Sequence, residues 1–396
     1  MKKNRFMLIT FLLLLLISCE NGDKETELNT FKFKDLNNPG TISLLQLGVT
    51  DIQYSPLETD SNCLISNIRR VKFGANSVFI QNGLENIYRY SIDGNYITRI
   101  GVKGKGPGEY VYLYHFTLNP ENQNVYILDA IKRKILIYSA TGNLIKSIPS
   151  PVNTDIIEYY NKNILCYNHN GVRSQEESFH LLDYEGNILK RFKNKFPFKN
   201  NKHWFLHECL FVRNKGELFV KEILSDTIFQ YENFSFKPLL VLDFGQKGLK
   251  VADRENINSS EDFLKISFQK TRQQNLLFIG DKVLFEFLFE NELLGTITST
   301  KDGSSQLINI SKGFINDFDG GPNLWFQTNK DENTLVSWIN AYELKVHVAS
   351  AAFKSYTPKY PEKKKELEKL ANSLKEDDNP VLMLVKLKNE DLHQIY

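Results

Sequence analysis

Between residues 78 and 189 the chain writes one pattern three times. Val78-Phe79-Ile80-Gln81 leads to Ile87-Tyr88-Arg89-Tyr90 and then to Ser91-Ile92-Asp93-Gly94-Asn95-Tyr96-Ile97. Val125-Tyr126-Ile127-Leu128-Asp129 leads to Ile135-Leu136-Ile137-Tyr138 and Thr141-Gly142-Asn143-Leu144-Ile145. Ile164-Leu165-Cys166-Tyr167 leads to Phe179-His180-Leu181-Leu182-Asp183 and Glu185-Gly186-Asn187-Ile188-Leu189. Each unit reads strand, loop, strand, turn, strand. The turn is Gly-Asn, residues that tolerate the positive φ of tight hairpins. Gly94 to Gly142 is 48 residues and Gly142 to Gly186 is 44. A period of about 40–50 residues with three or four strands per unit is the spacing of propeller blades.

Weaker copies follow. Leu218-Phe219-Val220 leads to Asp226-Thr227-Ile228-Phe229-Gln230-Tyr231 and then to the stretch from Phe236 to Phe244. Val283 to Phe289 opens another unit, with its turn at Lys301-Asp302-Gly303, and a last unit opens at Leu324-Trp325-Phe326 and continues near Leu335-Val336-Ser337-Trp338. Six units of about 45 residues need roughly 270 residues. The excess reads as helical inserts. One covers residues 258–274, with Ser259 and Ser260 ahead of Glu261 and Asp262 as a capping signal. The other starts at Pro361 and puts Leu367, Leu370 and Leu374 on one face. The expected fold is an all-β, six-bladed β-propeller over residues 41–396. A ring leaves an open edge unless the chain ends share a blade. The strand-like pieces in 42–56 and the apolar run 380–387 are therefore expected to complete the sixth blade together.

The N-terminus reads differently. Lys2, Lys3 and Arg5 precede a run from Phe6 to Ile17 that is apolar except at Thr10. That run is short for a membrane span and has the shape of a signal peptide. It ends in Leu16-Ile17-Ser18-Cys19, which resembles the bacterial lipobox. The resemblance implies removal of residues 1–18 and lipid attachment at Cys19, with acyl chains contributing about 0.8 kcal/mol per buried CH₂. Residues 19–40 are expected to form the lipidated cysteine and a flexible tether.

Losing residues 1–18 changes 49 basic against 47 acidic residues to 46 against 47. That balance gives no electrostatic case for a nucleic-acid partner. Cys63, Cys166 and Cys209 remain, an odd and widely spaced set without a Cys-x-x-Cys pair. A disulfide framework and a zinc ribbon are not expected, although one pair could form in an oxidising compartment.

The stretch from Gly101 to Gly142 resembles an NHL-type repeat: a glycine-rich loop, a Val-Tyr-Ile-x-Asp strand, Ile-x-Ile-Tyr and a Gly turn. More broadly, the chain resembles the six-bladed β-propeller lipoproteins of Bacteroidota. The residues that carry this are Pro56-Leu57-Glu58-Thr59, Gly104-x-Gly106-Pro107-Gly108-Glu109-Tyr110, Asp226-Thr227-Ile228, Asn316 to Gly321, and Asn379-Pro380-Val381-Leu382. The resemblance implies the propeller fold and an outer-membrane or cell-surface address. It implies little chemistry.

Gly101-Val102-Lys103-Gly104-Lys105-Gly106-Pro107-Gly108-Glu109-Tyr110 raises the possibility of a phosphate cradle. The dinucleotide fingerprint lacks its third glycine, and Gly104-Lys105 is followed by Gly106 rather than Ser or Thr. Pro107-Gly108 suits the centre of a type II turn, so the loop is read as a tight crossing between blades one and two. His203 and His207 stand four apart, but Trp204 and Glu208 break the His-Glu-x-x-His order. On a strand they would share a face, either as a hydrogen-bonded pair or as part of a metal site. Asp317 and Asp319 would both face the channel if on an inner strand, or else fix a turn. Tyr110, Tyr112 and Tyr114 form either a sugar-stacking stripe or packing between blades. No nucleophile elbow is present, and no cofactor is expected. The expected function is a binding module for a glycan, peptide or protein partner. The alternative is an NHL-like propeller hydrolase or lyase with a channel-bound metal.

Overall fold

The computed structural model describes residues 28–171, 174–199 and 203–388. Six antiparallel sheets follow one another along the chain, and five of them have four strands. Blade 1 is Ile68–Phe73, Ser77–Asn82, Asn86–Ser91 and Tyr96–Ile100; blade 2 is Leu113–Leu118, Val125–Asp129, Lys134–Tyr138 and Leu144–Pro149. Blade 3 is Thr154–Tyr160, Asn163–Asn168, Glu177–Leu182 and Ile188–Lys193; blade 4 is Cys209–Asn214, Glu217–Glu222, Thr227–Glu232 and Ser235–Asp243. Blade 5 is Arg272–Ile279, Lys282–Phe289, Glu292–Ser299 and Ser305–Asn309. Blade 6 takes Thr328–Asp331, Thr334–Ile339 and Val381–Leu387 from the C-terminal part, and Val49–Pro56 from the N-terminal part as its outer strand. The fold is the expected six-bladed β-propeller.

The repeats visible in the sequence are the second to fourth strands of each blade. Several innermost strands were hidden because charge interrupts them: Ile68-Arg69-Arg70-Val71-Lys72-Phe73 mixes three apolar with three basic side chains. Leu324 and Phe326 are not the opening of the last blade. They are buried in the core shared with blade 5, ahead of its first strand at Thr328.

Closure follows the expected scheme. Val49–Pro56 pairs antiparallel with Val381–Leu387, from Val49 opposite Leu387 to Pro56 opposite Val381. Asn379 ties the junction, donating to the carbonyls of Glu58 (2.7 Å) and Cys63 (2.9 Å) and accepting from the Ile65 amide (2.8 Å).

The stretch read as a tether up to residue 40 is folded from Thr30 onward. Thr30–Lys32 adds a fifth strand to blade 4, parallel to Val241, Leu242 and Asp243. Phe31, Phe33 and Leu36 are buried in the core of blades 4 and 5. Gly40 then bridges to Ile308 in blade 5 and Ser43 to Ile315. Three apolar side chains in a polar stretch suffice to dock it. The signal-peptide residues 1–18 and Cys19 lie outside the described residues.

Apolar side chains fill the spaces between neighbouring blades. Phe79, Ile87, Phe116, Ile127 and Tyr138 join blades 1 and 2, for example. The repeat glycines serve this packing. A Cβ on Gly94 (φ +94°) would land on the carbonyl oxygen of Pro56, and one on Gly142 (φ +87°) on that of Arg99. Both contacts fall on the outer strand of the preceding blade. Gly303 (φ +70°) holds the same turn position in blade 5 but has open space around it. Gly303→Ala is therefore expected to cost only the backbone strain, about 1–2 kcal/mol. Gly142→Ala should cost clearly more, because a blade must also shift. Urea unfolding midpoints of the two variants check this, and equal losses would remove the interlock.

Two helical inserts are shorter or more elaborate than expected. Ser259 caps Ser260–Gln269 through a capping box with Asp262, and the helix ends before Arg272 because the inner strand of blade 5 starts there. Pro361–Ser373 is preceded by two further helices, Ala341–Ala349 and Ala351–Ser355. Leu344, Val348, Phe353, Leu367 and Ala371 pack together beside Val381. Cys63, Cys166 and Cys209 are buried free thiols.

Candidate binding site at the channel

All six inner strands run side by side around the axis. Where they end, they enclose a cavity of about 610 Å³, reached by Lys72, Thr117, Glu158, Arg213, Asn275 and Asn329. Glu158 from blade 3 spans it. Its carboxylate meets Lys72 of blade 1 at 3.0 Å and Arg213 of blade 4 at 2.8 Å. Burial alone would raise the Glu158 pKa, but the two cations hold it below the usual carboxylate range. Its contribution to stability is thus present above that range and lost as pH falls through the lowered value.

The other end of the channel is different in character. Arg69 and Arg70 come from the start of the inner strand of blade 1, Tyr112 and Tyr114 from blade 2, and Asp155 from blade 3. The two tyrosines alternate on one side of the chain and stack, with ring centroids 5.9 Å apart at 26°. The Arg69 guanidinium lies 5.9 Å from the Tyr114 ring centre. Burial, and then the Asp155 carboxylate beside it, push the Tyr114 phenol up, so it stays a hydrogen-bond donor. Asp155 also stands 3.7 Å from His169 Nδ1. Arg70 donates to Gln81 at 2.8 Å, and burial pulls its pKa down to about 10. Arg69 and His207 are exposed, whereas Tyr112, Tyr114, Asp155 and His169 are half-buried. The mouth therefore offers an aromatic platform flanked by a cation and a carboxylate.

The residues singled out by sequence fall in several places. His207 reaches the mouth; although the residue as a whole is exposed, its ring is crowded by protein, and that desolvation, followed by Arg70 and Arg69, lowers its pKa. His203 instead stacks on Phe263 of the insert helix, centroids 5.1 Å apart. The two do not share a strand face as expected, because the strand begins only at Cys209 and His207 itself is left-handed (φ +54°). Asp317 and Asp319 do not face the channel. The inner strand of blade 6 is Thr328–Asp331, and the aspartates lie in the loop before it. Asp317 accepts from the Leu45 amide at 3.0 Å, and Asp319 from the Tyr54 hydroxyl at 2.9 Å and the Gly321 amide at 2.8 Å.

The loop at 101–110 crosses from blade 1 to blade 2. Gly106-Pro107-Gly108-Glu109 closes as a turn with Gly108 at φ +76°, and Glu109 folds back to accept from the Gly106 amide at 2.7 Å. Gly104 donates to the Tyr110 carbonyl, and the Tyr138 hydroxyl donates to that of Gly108 at 2.6 Å. Lys103 is paired with Glu85 at 2.9 Å. Tyr110 is fully buried and donates to the Glu85 carbonyl at 2.8 Å, so it packs rather than binds.

Sequence reasoning missed Arg69, Arg70, Lys72, Asp155, Glu158 and Arg213. The available signal was charge set among apolar residues just upstream of the recognised repeats of blades 1, 3 and 4. Among the described residues, no three His, Cys, Asp or Glu side chains form a set that could hold a metal ion.

A ring of six blades around a polar channel, closed by strands from both parts of the chain, defines a six-bladed β-propeller protein. The chain belongs to the family described as the domain of unknown function DUF4934, whose model matches residues 28–386. No curated protein matches it. Among solved structures it is similar to a putative exported protein from Bacteroides fragilis, at 17% identity and a TM-score of 0.72, over 91% of this chain and 99% of that one. It is also similar to a member of the DUF4221 family from Bacteroides vulgatus, at 10% identity and a TM-score of 0.53, over 86% and 98% of the two chains.

Proposed function

We propose that the protein is an exported, lipid-anchored binding module of the cell envelope, and that its channel mouth receives a glycan. The observation that carries the ligand class is the stacked Tyr112–Tyr114 pair beside Arg69 and Asp155. Sugar rings present apolar faces that stack on aromatic side chains and rims of hydroxyls that pair with carboxylates and guanidinium groups. The anchor rests on the Leu16-Ile17-Ser18-Cys19 motif behind an apolar run. No described helix is long and apolar enough to cross a membrane. The fold neighbour from Bacteroides fragilis is itself described as a putative exported protein. In this reading the chain is an outer-membrane or surface protein of the NHL-like propeller type.

Titration of soluble polysaccharide fragments tests the ligand class. Tyr112→Ala and Tyr114→Ala should each weaken binding at least ~10-fold, a loss of about 1.4 kcal/mol. Unchanged affinity in both variants would overturn the site. Cys19→Ala should move the protein from the membrane to the soluble fraction, and its retention would overturn the anchor. The alternative enzyme needs a channel-bound metal. Stoichiometric zinc or calcium in the purified protein would reinstate it.

A further inference from the structure

A second pocket lies away from the channel, between blades 3 and 4. It has a volume of about 290 Å³ and is walled by Phe179, Phe192, Val220, Phe229 and Phe236. The rings are fixed by one another. Phe236 lies 4.7 Å from Phe179 and 5.0 Å from Phe192, and Phe192 stands edge-on to Phe179 at 90°. Phe179 and Val220 are buried, while Phe192, Phe229 and Phe236 are half-exposed and available to an occupant.

Charges of both signs line this aromatic hollow: Arg191, Lys193 and Lys195 against the single acid Glu222. The exposed Lys195 ammonium lies 4.9 Å from the Phe229 ring centre, and Glu222 projects from the end of its strand into the pocket lining. Burial pushes the Glu222 carboxyl up to about 7. Lys195 acts on Glu222 through space, yet among the described residues neither is within ion-pair distance of the other or of any other opposite charge. A gap between an unpaired cation and an unpaired anion beside an aromatic wall matches one small-molecule chemistry.

We propose that this pocket binds a free amino acid with an aromatic or large aliphatic side chain. The side chain fills the space among the four phenylalanines, the α-ammonium pairs with Glu222, and the α-carboxylate pairs with Lys195. The fit is one of charge as well as shape: a zwitterion satisfies both groups at once. An acid alone leaves Glu222 unpaired, and an amine alone leaves Lys195 unpaired. The volume suits the size class, since drug-sized ligands occupy pockets of about 300–1,000 Å³ and an amino acid lies at the small end.

Isothermal titration of the purified full chain with three probes tests the assignment. These are L-phenylalanine, 3-phenylpropionate and phenethylamine, which share the aryl body and differ in charge. L-phenylalanine should saturate, and the other two should bind at least ~10-fold more weakly. Lys195→Met should bring L-phenylalanine down to the level of phenethylamine, and Glu222→Gln to the level of 3-phenylpropionate. Lys195 is exposed, so its variant retains the fold. The ligand series on the unaltered chain decides the matter without any variant. Equal binding of the three probes, tighter binding of the acid or the amine, or no saturation by L-phenylalanine would each overturn the proposal.

Discussion

A chain ending at Asn379 is expected to lose cooperative unfolding altogether. The missing strand carries Val381, Leu382, Met383, Leu384, Val385 and Leu387, all buried. Full burial of such a side chain contributes about 1.5–3 kcal/mol, so six of them are comparable to the whole of the roughly 5–15 kcal/mol that holds a typical domain together. The loss is also topological. Val381–Leu387 lies between Thr334–Ile339 and Val49–Pro56 in blade 6 and pairs with both. Without it the outer strand has no partner and the ring has two edges. Circular dichroism against urea concentration reads the outcome. A truncated chain that still shows one sharp transition at the original midpoint would mean that the ring is held by something other than this strand.

The second large effect is expected at Glu208. Its carboxylate meets the Arg254 guanidinium at 2.6 Å, and both side chains are almost completely removed from solvent (1% and 0% exposed). Glu208 also accepts from the Asn170 amide at 3.0 Å. Arg254 donates to the Gly171 carbonyl at 2.7 Å and lies 4.0 Å from the Phe198 ring centre. The pair thus pins the short helix Val251–Glu255 to blades 3 and 4. Two charges taken out of water are held by their mutual contact, and deleting one leaves the other without its counter-charge. Glu208→Ala should cost about 3–5 kcal/mol. Arg254→Met combined with Glu208→Gln should cost less than the sum of the single changes, because the charge is then removed with its partner. Denaturant titration of the parent, Glu208→Gln, Arg254→Met and the double variant closes the cycle. A Glu208→Ala variant within about 1 kcal/mol of the parent would show that the contact is not a structural clamp.

The contrast between what was and was not legible in the sequence has a physical basis. The second and third strands of blades 1 to 3 are buried on both faces, and their apolar runs, followed by Gly-Asn turns, repeat visibly. Closure was legible too, since Val381 to Leu387 is apolar enough to demand burial. The inner strands face a polar axis, where Arg69, Lys72, Asp155 and Glu158 break the apolar rhythm. The site assembles from residues far apart in the chain, Lys72 and Glu158 by 86 positions and Glu158 and Arg213 by 55, and no local spacing announces such a set. Tyr112 and Tyr114 could be named from sequence. Their stacking at the mouth, and the retreat of Tyr110 into the core, depended on the way the Pro107-Gly108 turn aims the strand that follows. Asp317 and Asp319 took the second of the two roles open to them in the sequence, an acidic pair before a Gly-Gly step that knits a loop.

The added strand Thr30–Lys32 has a mechanical consequence. The N-terminal segment enters on the rim of blade 4, passes blade 5 at Gly40 and only then becomes the outer strand of blade 6. A pull on the N-terminus is therefore borne first by three backbone pairings and by Phe31, Phe33 and Leu36 seated between blades, before any tension reaches the strand that closes the ring. The segment works as a strain relief, like the clamp that keeps a tugged cable from loading its connector.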